Sequence, residues 1–233
     1  ANLSFISRIH MPGNQLNGHI SPEIGRLTHL RYLNLSVNAL SGEIPETLSS
    51  CSRLETINLY SNSIEGKIPP SLAHCSFLQQ IILSSNHIHG SIPSEIGLLP
   101  NLSALFIPNN ELTGTIPPLL GSSKTLVWVN LQNNSLVGEI PPSLFNSSTI
   151  TYIDLSQNGL SGTIPPFSKT SLVLRYLCLT NNYISGEIPN SIDNILSLSK
   201  LMLSGNNLEG TIPESLGKLS NLQLLDLSYN NLS

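Results

Sequence analysis

Charge is scarce in this chain of 233 residues: Asp, Glu, Lys and Arg together make up 10%, with a net charge of -4. No basic patch is dense enough to bind nucleic acid or an anionic membrane. Aromatic residues are equally sparse at 5%, against 39% hydrophobic residues overall, so the core must be aliphatic, and it is mostly Leu and Ile. No apolar run approaches the roughly 20 residues that cross a bilayer. The chain opens Ala-Asn-Leu-Ser-Phe, without the basic stretch and apolar run of a signal peptide. A targeting or membrane segment is expected to lie outside these residues.

Carboxylates are too dispersed for hydrolytic chemistry. Glycoside hydrolysis commonly needs a pair about 5 to 9.5 Å apart. Asp154, Asp193 and Asp226 fall far apart in sequence, and the glutamates (Glu43, Glu139 and Glu187; Glu46, Glu95 and Glu214) read as solvated. His87-Ile-His89 supplies two ligands where a tetrahedral metal shell needs four. No nucleophile–base arrangement and no glycine-rich phosphate loop is present. The residues therefore predict a non-catalytic binding module without metal or cofactor.

What the sequence does contain is a repeat. Asn recurs every 24 residues, at Asn14, Asn38, Asn62, Asn86, Asn110, Asn134, Asn158, Asn182, Asn206 and Asn230. Leu or Ile follows two residues later, then Gly, then Ile, and from Ile44 onward Pro. Each Asn is preceded by L-x-x-L-x-L, as in Leu30-Arg-Tyr-Leu33-Asn-Leu35. Its alternating end reads as a short strand with one face buried. Such a strand is stable only when stacked on copies of itself, which forms a parallel sheet over a continuous core. At about 4.8 Å per rung, ten rungs extend roughly 50 Å.

The repeated Asn stands where the chain leaves the strand. Its amide both donates and accepts, so a ladder of ten such side chains is expected to satisfy turn backbone buried between rungs. Gly permits a tight bend. Ile-Pro enters the convex side as an extended segment or the first turn of a short helix. Ser168 breaks the Leu/Ile position that follows, with Phe167 just before it, so this repeat is expected to pack differently on its convex side.

The pattern L-x-x-L-x-L-x-x-N-x-L-x-G-x-I-P resembles the plant-specific leucine-rich repeat, and the resemblance covers essentially the whole chain. Stretches such as Leu33-Asn-Leu-Ser-Val-Asn-Ala-Leu-Ser-Gly-Glu-Ile-Pro45 are similar to ectodomains of plant leucine-rich-repeat receptor kinases, in particular the immune, disease-resistance branch known from rice. The resemblance implies an α/β solenoid: a curved right-handed coil with a concave parallel β-sheet that carries ligand contacts, short second strands, and 3-10 or helical turns on the convex side. It implies an extracellular location, a peptide or protein ligand, a co-receptor and no catalysis by this part. The expected organisation is one solenoid over 1–233, with 1–5 as the tail of a preceding repeat and 222–233 as an incomplete last one. The paired-cysteine caps of the family are absent. Ile6, Ile9, Met11 and Leu16 at one end, and Leu222, Leu225, Leu227 and Leu232 at the other, are expected to face outward and to favour end-to-end association. A secreted inhibitor of cell-wall hydrolases uses the same repeat but carries both caps. A trimmed repeat scaffold without its own ligand is the third reading.

On the concave face most side chains are small or polar. Trp128, Tyr152 and Tyr176 share one column on three consecutive rungs, with Phe106 in a neighbouring column and Asp154 and Arg175 close by. Stacked rings with flanking charges would suit a peptide or protein ligand, although Tyr at this position can also simply support the sheet. Ile82, Met202 and Leu224 read as incidental. Cys51 and Cys75, one repeat apart, read as small buried hydrophobes, with a disulfide between them as the alternative. Cys178, on the concave strand, is expected to be the reactive thiol. Glycosylation sequons begin at Asn2, Asn34, Asn101, Asn133, Asn146 and Asn231, with Asn34 and Asn133 expected on the concave sheet.

Overall fold

The computed structural model describes residues 5–168 and 173–233. Strands of three residues, from Arg8–His10 to Leu224–Asp226, form a ten-stranded sheet in sequence order. Every pairing is parallel and displaced by one repeat, as in Trp128 opposite Tyr152 and Tyr152 opposite Tyr176. The middle residue of each strand points inward. Leu33, Ile57, Ile81, Leu105, Val129, Ile153, Leu177 and Leu201 are wholly buried in a continuous aliphatic core.

The convex side is made of single turns. Five-residue 3-10 helices such as Glu46–Ser50 and Pro70–His74 flank two consecutive short α-helical turns at Leu119–Ser122 and Pro142–Phe145. Pro-led entry and one buried Leu or Ile per turn, such as Leu48 or Leu72, explain these elements. The repeat containing Ser168 departs, as expected. Phe167 fills the core in place of the missing Leu and stacks on Phe145 with ring centroids 5.0 Å apart. Ser191, Asn194 and Asn146 bond the Phe167 and Ser168 backbone.

The expected second sheet is broken into four pieces of two or three strands. Pro shortly after each strand removes a donor and limits its length. The Gly of the motif is required here: Gly162 has φ +79, and a Cβ on it would lie 2.7 Å from Glu139 Cγ.

The asparagines bind the rungs together. Asn134 Nδ2 donates to the carbonyls of Leu131 and Gln132 in its own turn and of Ile107 one repeat earlier, while its Oδ1 accepts from the Leu112 N–H. The same set recurs from Asn38 to Asn230. Among the described residues, Asn14 makes a single side-chain bond, to the Pro12 carbonyl. The residue before each Asn is left-handed, with φ from 51 to 56 at Val37, Ser61, Ser85, Asn109, Asn133, Gln157, Asn181 and Tyr229. Cys51 and Cys75 are free, buried thiols directed at the Ile24 and Leu48 carbonyls. At the ends Met11 and Leu225 are exposed, whereas Ile6, Ile9, Leu16, Leu222, Leu227 and Leu232 are only partly buried against the core.

Candidate functional site on the concave sheet

Because side chains alternate along a strand, the first and third residues of each three-residue strand face outward in two columns. The first column runs Ala104, Trp128, Tyr152, Tyr176, Lys200, and the third runs Phe106, Asn130, Asp154, Cys178, Met202.

Tyr152 and Tyr176 form a stacked pair, with centroids 4.3 Å apart and an interplanar angle of 10°. Lys200 Nζ lies 6.0 Å from the centre of the Tyr176 ring, at the limit of a cation–π contact. Trp128 occupies the expected column but does not join the stack, and it stands 42% exposed. The three-ring ladder is therefore a two-ring stack with a separate tryptophan. Strand register fixes where each ring begins, not how the rings pack against one another. Phe106 is half-buried in the third column, beside Ile82.

Asp154 does not project into the face. It is 5% exposed, and its Oδ1 accepts from the Ser156 hydroxyl (2.6 Å) and N–H (3.1 Å). Its Oδ2 accepts from the Tyr152 hydroxyl at 3.4 Å. The short side chain folds back over the turn, as Asx side chains do at strand ends. Asn34, Asn58, Asn130 and Asp226 do the same with the N–H two residues on. Asp154 thus positions Tyr152 rather than meeting a ligand. Burial, followed by the nearby Asp154 charge, raises the Tyr152 hydroxyl to about 12 and moves Tyr176 in the same direction. Both stay neutral donors at physiological pH.

Arg175 is exposed and sits at the lateral edge, just before the first column. It lines a polar cavity of about 360 Å³ with Ser197, Ser199, Asn221 and Gln223. The structure therefore brings Tyr152, Tyr176 and Asp154 together, places Trp128 and Arg175 beside them, and leaves Phe106 two rungs away from Tyr152. Sequence reasoning passed over Lys200, whose signal was its place in the same column. It also passed over a second cluster, in which Arg8 Cζ lies 4.9 Å from the Tyr32 ring centre and His10 lies 5.9 Å from the same ring.

Cys178 is not the reactive thiol expected. It is 3% exposed, and burial, then Asp154, pushes its pKa up and so disfavours the thiolate. Asn34 is not a surface acceptor either: it is 7% exposed and bonded to Ser36 and Tyr32. Asn133 is exposed, but it lies in the turn after the strand rather than on the sheet, with Nδ2 bonded to Asn109 Oδ1 at 3.0 Å. Asn101, Asn146 and Asn231 are exposed, with Asn101 donating to the Ser76 carbonyl, and Asn2 lies outside the described residues. His87 pairs with Glu111 at 3.1 Å on the exposed second sheet.

Family models described as leucine rich repeat match residues 28–88 and, repeat by repeat, residues 125–147, 149–170, 173–195 and 197–219. No curated protein matches the chain by sequence. Among solved structures, a TDR receptor is similar with a TM-score of 0.95 and 33% identity, over 99% of this chain and 40% of that one. The ectodomain of the Arabidopsis receptor kinase HAESA, in complex with an N-terminally extended IDA peptide hormone ligand, gives 0.88 and 34% over 94% and 37%. A plant ice-binding protein gives 0.82 and 31% over 96% and 72%. The chain thus spans about 40% of the first of these receptors. With the repeat, the parallel sheet and these likenesses in agreement, the chain belongs to the leucine-rich-repeat family.

Proposed function

We propose that this chain is a ligand-recognition segment of the extracellular part of a plant receptor kinase, and that it binds an extended peptide across its concave sheet. The observation that carries the reading is the Tyr152–Tyr176 stack, flanked by exposed Trp128 and by the Lys200 cation on consecutive rungs. Rigid aromatic side chains bury large areas for little lost entropy and often dominate interface energy. Arg175 and Lys200 would orient the ligand through charge-assisted bonds. Support also comes from the structural neighbours, which include a plant peptide hormone receptor, RGFR1, in complex with RGF2, and HAESA in complex with IDA and the co-receptor SERK1. By the same likeness, a co-receptor ectodomain would complete the signalling complex. The resemblance of the repeats to disease-resistance receptors is what supports an immune role. No helix among the described residues is long and apolar enough to cross a membrane. The ice-binding neighbour shows that one coil hosts unlike functions, so the reading rests on the concave side chains rather than on the fold.

The test is selection of short linear peptides from a display library, followed by affinity measurement on the wild type and on Trp128→Ala with Tyr152→Ala. A loss of about tenfold or more per anchor is expected, equivalent to about 1.4 kcal/mol. Unchanged affinity in a double variant with native circular dichroism removes the concave site.

A further inference from the structure

A second surface lies on the lateral edge where the convex coil re-enters the sheet. The residue just before each strand-leading Leu forms a column there, and over four rungs it reads Phe5, His29, Arg53, Phe77. Phe5 is 80% and Phe77 54% exposed, and the Phe5 and His29 rings lie 6.2 Å apart. Lone exposed apolar residues are ordinary, but two aromatics with Arg and His in one column within roughly 14 Å form the composition enriched at protein interfaces.

The neighbouring column defines the wall. Arg31 is held by Glu55, with contacts of 2.8 Å from Nε and 2.6 Å from the terminal nitrogen. Arg31, Arg53, Glu55 and Phe77 together line a cavity of about 330 Å³. Arg53 is exposed and has no ion-pair partner among the described residues. With Glu55 engaged by Arg31, the Arg53 guanidinium is the donor left to take a carboxylate from outside.

The fold does not impose this chemistry. Six rungs later the same two columns surround Arg175 with Ser197, Ser199, Asn221 and Gln223, which are small or polar and contain no aromatic ring. At both places a Leu that packs on the core follows the column residue, Leu54 and Leu78 at the first and Leu198 and Leu222 at the second, so that packing does not demand the aromatic and cationic residues at the first.

We infer that this edge docks a partner protein through a segment presenting a carboxylate side chain next to an aromatic one: the ring packs on Phe77 and the carboxylate pairs with Arg53. The site lies on rungs separate from Tyr152 and Tyr176, so both can be occupied at once.

The probe is a pair of short synthetic peptides in a Gly/Ser background, one carrying Glu-Phe and the other Lys-Phe, displayed multivalently to raise weak affinity. Retention of the intact chain is measured by biolayer interferometry. The Glu-Phe surface should retain it about tenfold better than the Lys-Phe surface. Phe77→Ala should lower that retention by about tenfold, Arg53→Gln should abolish the charge preference, and Arg53→Glu should reverse it. Trp128→Ala, with the concave site altered, should change nothing here. Equal retention on both peptides, indifference to Arg53→Glu in a folded variant, or loss on Trp128→Ala would overturn the inference. Sedimentation distinguishes a second copy: concentration-dependent dimers dispersed by Arg53→Glu would replace the partner protein with the chain itself.

Discussion

The Asn ladder lies in the turns that follow the strands of the concave face, yet the two obey opposite rules. Along the ladder one residue type repeats, and from Asn38 to Asn230 it makes one set of bonds, because every rung leaves the same turn backbone unpaired. Along the first concave column the residues run Arg8, Tyr32, Thr56, Gln80, Ala104, Trp128, Tyr152, Tyr176, Lys200, Leu224, with no repetition imposed by packing. Where the fold makes the demand, the column is uniform. Where the column varies, the fold has left the choice to something else, and binding is the natural claimant.

The largest break in this comparison comes from the uniform core. Ile153 is wholly buried in a central rung, and Ile153→Ala should cost about 2–5 kcal/mol of unfolding free energy, by lost burial and a residual cavity. Its outward neighbour Tyr152→Ala should cost clearly less, since its ring is partly solvated. Chemical denaturation of both decides the matter, and equal losses would show that the Tyr stack is part of the core.

Next is the ladder itself. Asn134→Leu removes the acceptor of the Leu112 N–H and the donor to three carbonyls, and should cost about 1–3 kcal/mol. Asn14→Leu, which loses only one bond to the Pro12 carbonyl, should cost less. Ser135→Ala should shift the denaturation midpoint little. Equal midpoints for Asn134→Leu and Ser135→Ala would remove the ladder from the stability account.

These contrasts also mark what was legible in the sequence. The solenoid, its strands and the Asn column follow from the 24-residue period, because a repeated demand leaves a repeated residue. The site was legible only as positions. Column membership placed Trp128 beside Tyr152, but the indole's orientation depends on torsions that no spacing encodes. Asp154 was read as projecting outward because the third strand residue faces out; its side chain is short enough to bond the turn instead. Cys178 was read as reactive for the same reason, and burial beside Asp154 is what makes it inert. The left-handed turn residue before each Asn had a signal, the run of Gly, Ser and Asn at that position, which only the backbone angles make plain.

The thiols give a pH effect that is silent at neutrality. Burial, with a smaller contribution from Cys51, raises Cys75 from 9.0 to about 11, and burial raises Cys51 as well. Above pH 9 the unfolded chain releases these protons while the folded chain keeps them. Stability should therefore be intact below pH 9 and decline as pH rises toward 11. Cys75→Ala should flatten part of that decline, measured as the urea midpoint against pH. An identical slope in the variant would assign the loss to other groups.

The smallest expected effect is a gain. Val37 holds φ +56 in the turn before Asn38 and is 47% exposed. A left-handed conformation crowds any Cβ, and a β-branched side chain is the least suited to it, at a cost of about 1–2 kcal/mol. The equivalent positions Asn109, Asn133 and Asn181 adopt the same angle with a residue that tolerates it. Val37→Asn gives up no core contact, so it should stabilise the chain by about 0.5–1 kcal/mol, a net figure after the partial cost that Asn also bears. Val37→Gly should gain less, because glycine's greater freedom also stabilises the unfolded chain. Thermal midpoints should rank Asn first, Gly second and Val last. If wild-type Val37 instead ranks first, contacts along the turn edge outweigh backbone strain, and the variable positions of the ladder edge would have to be counted with the core.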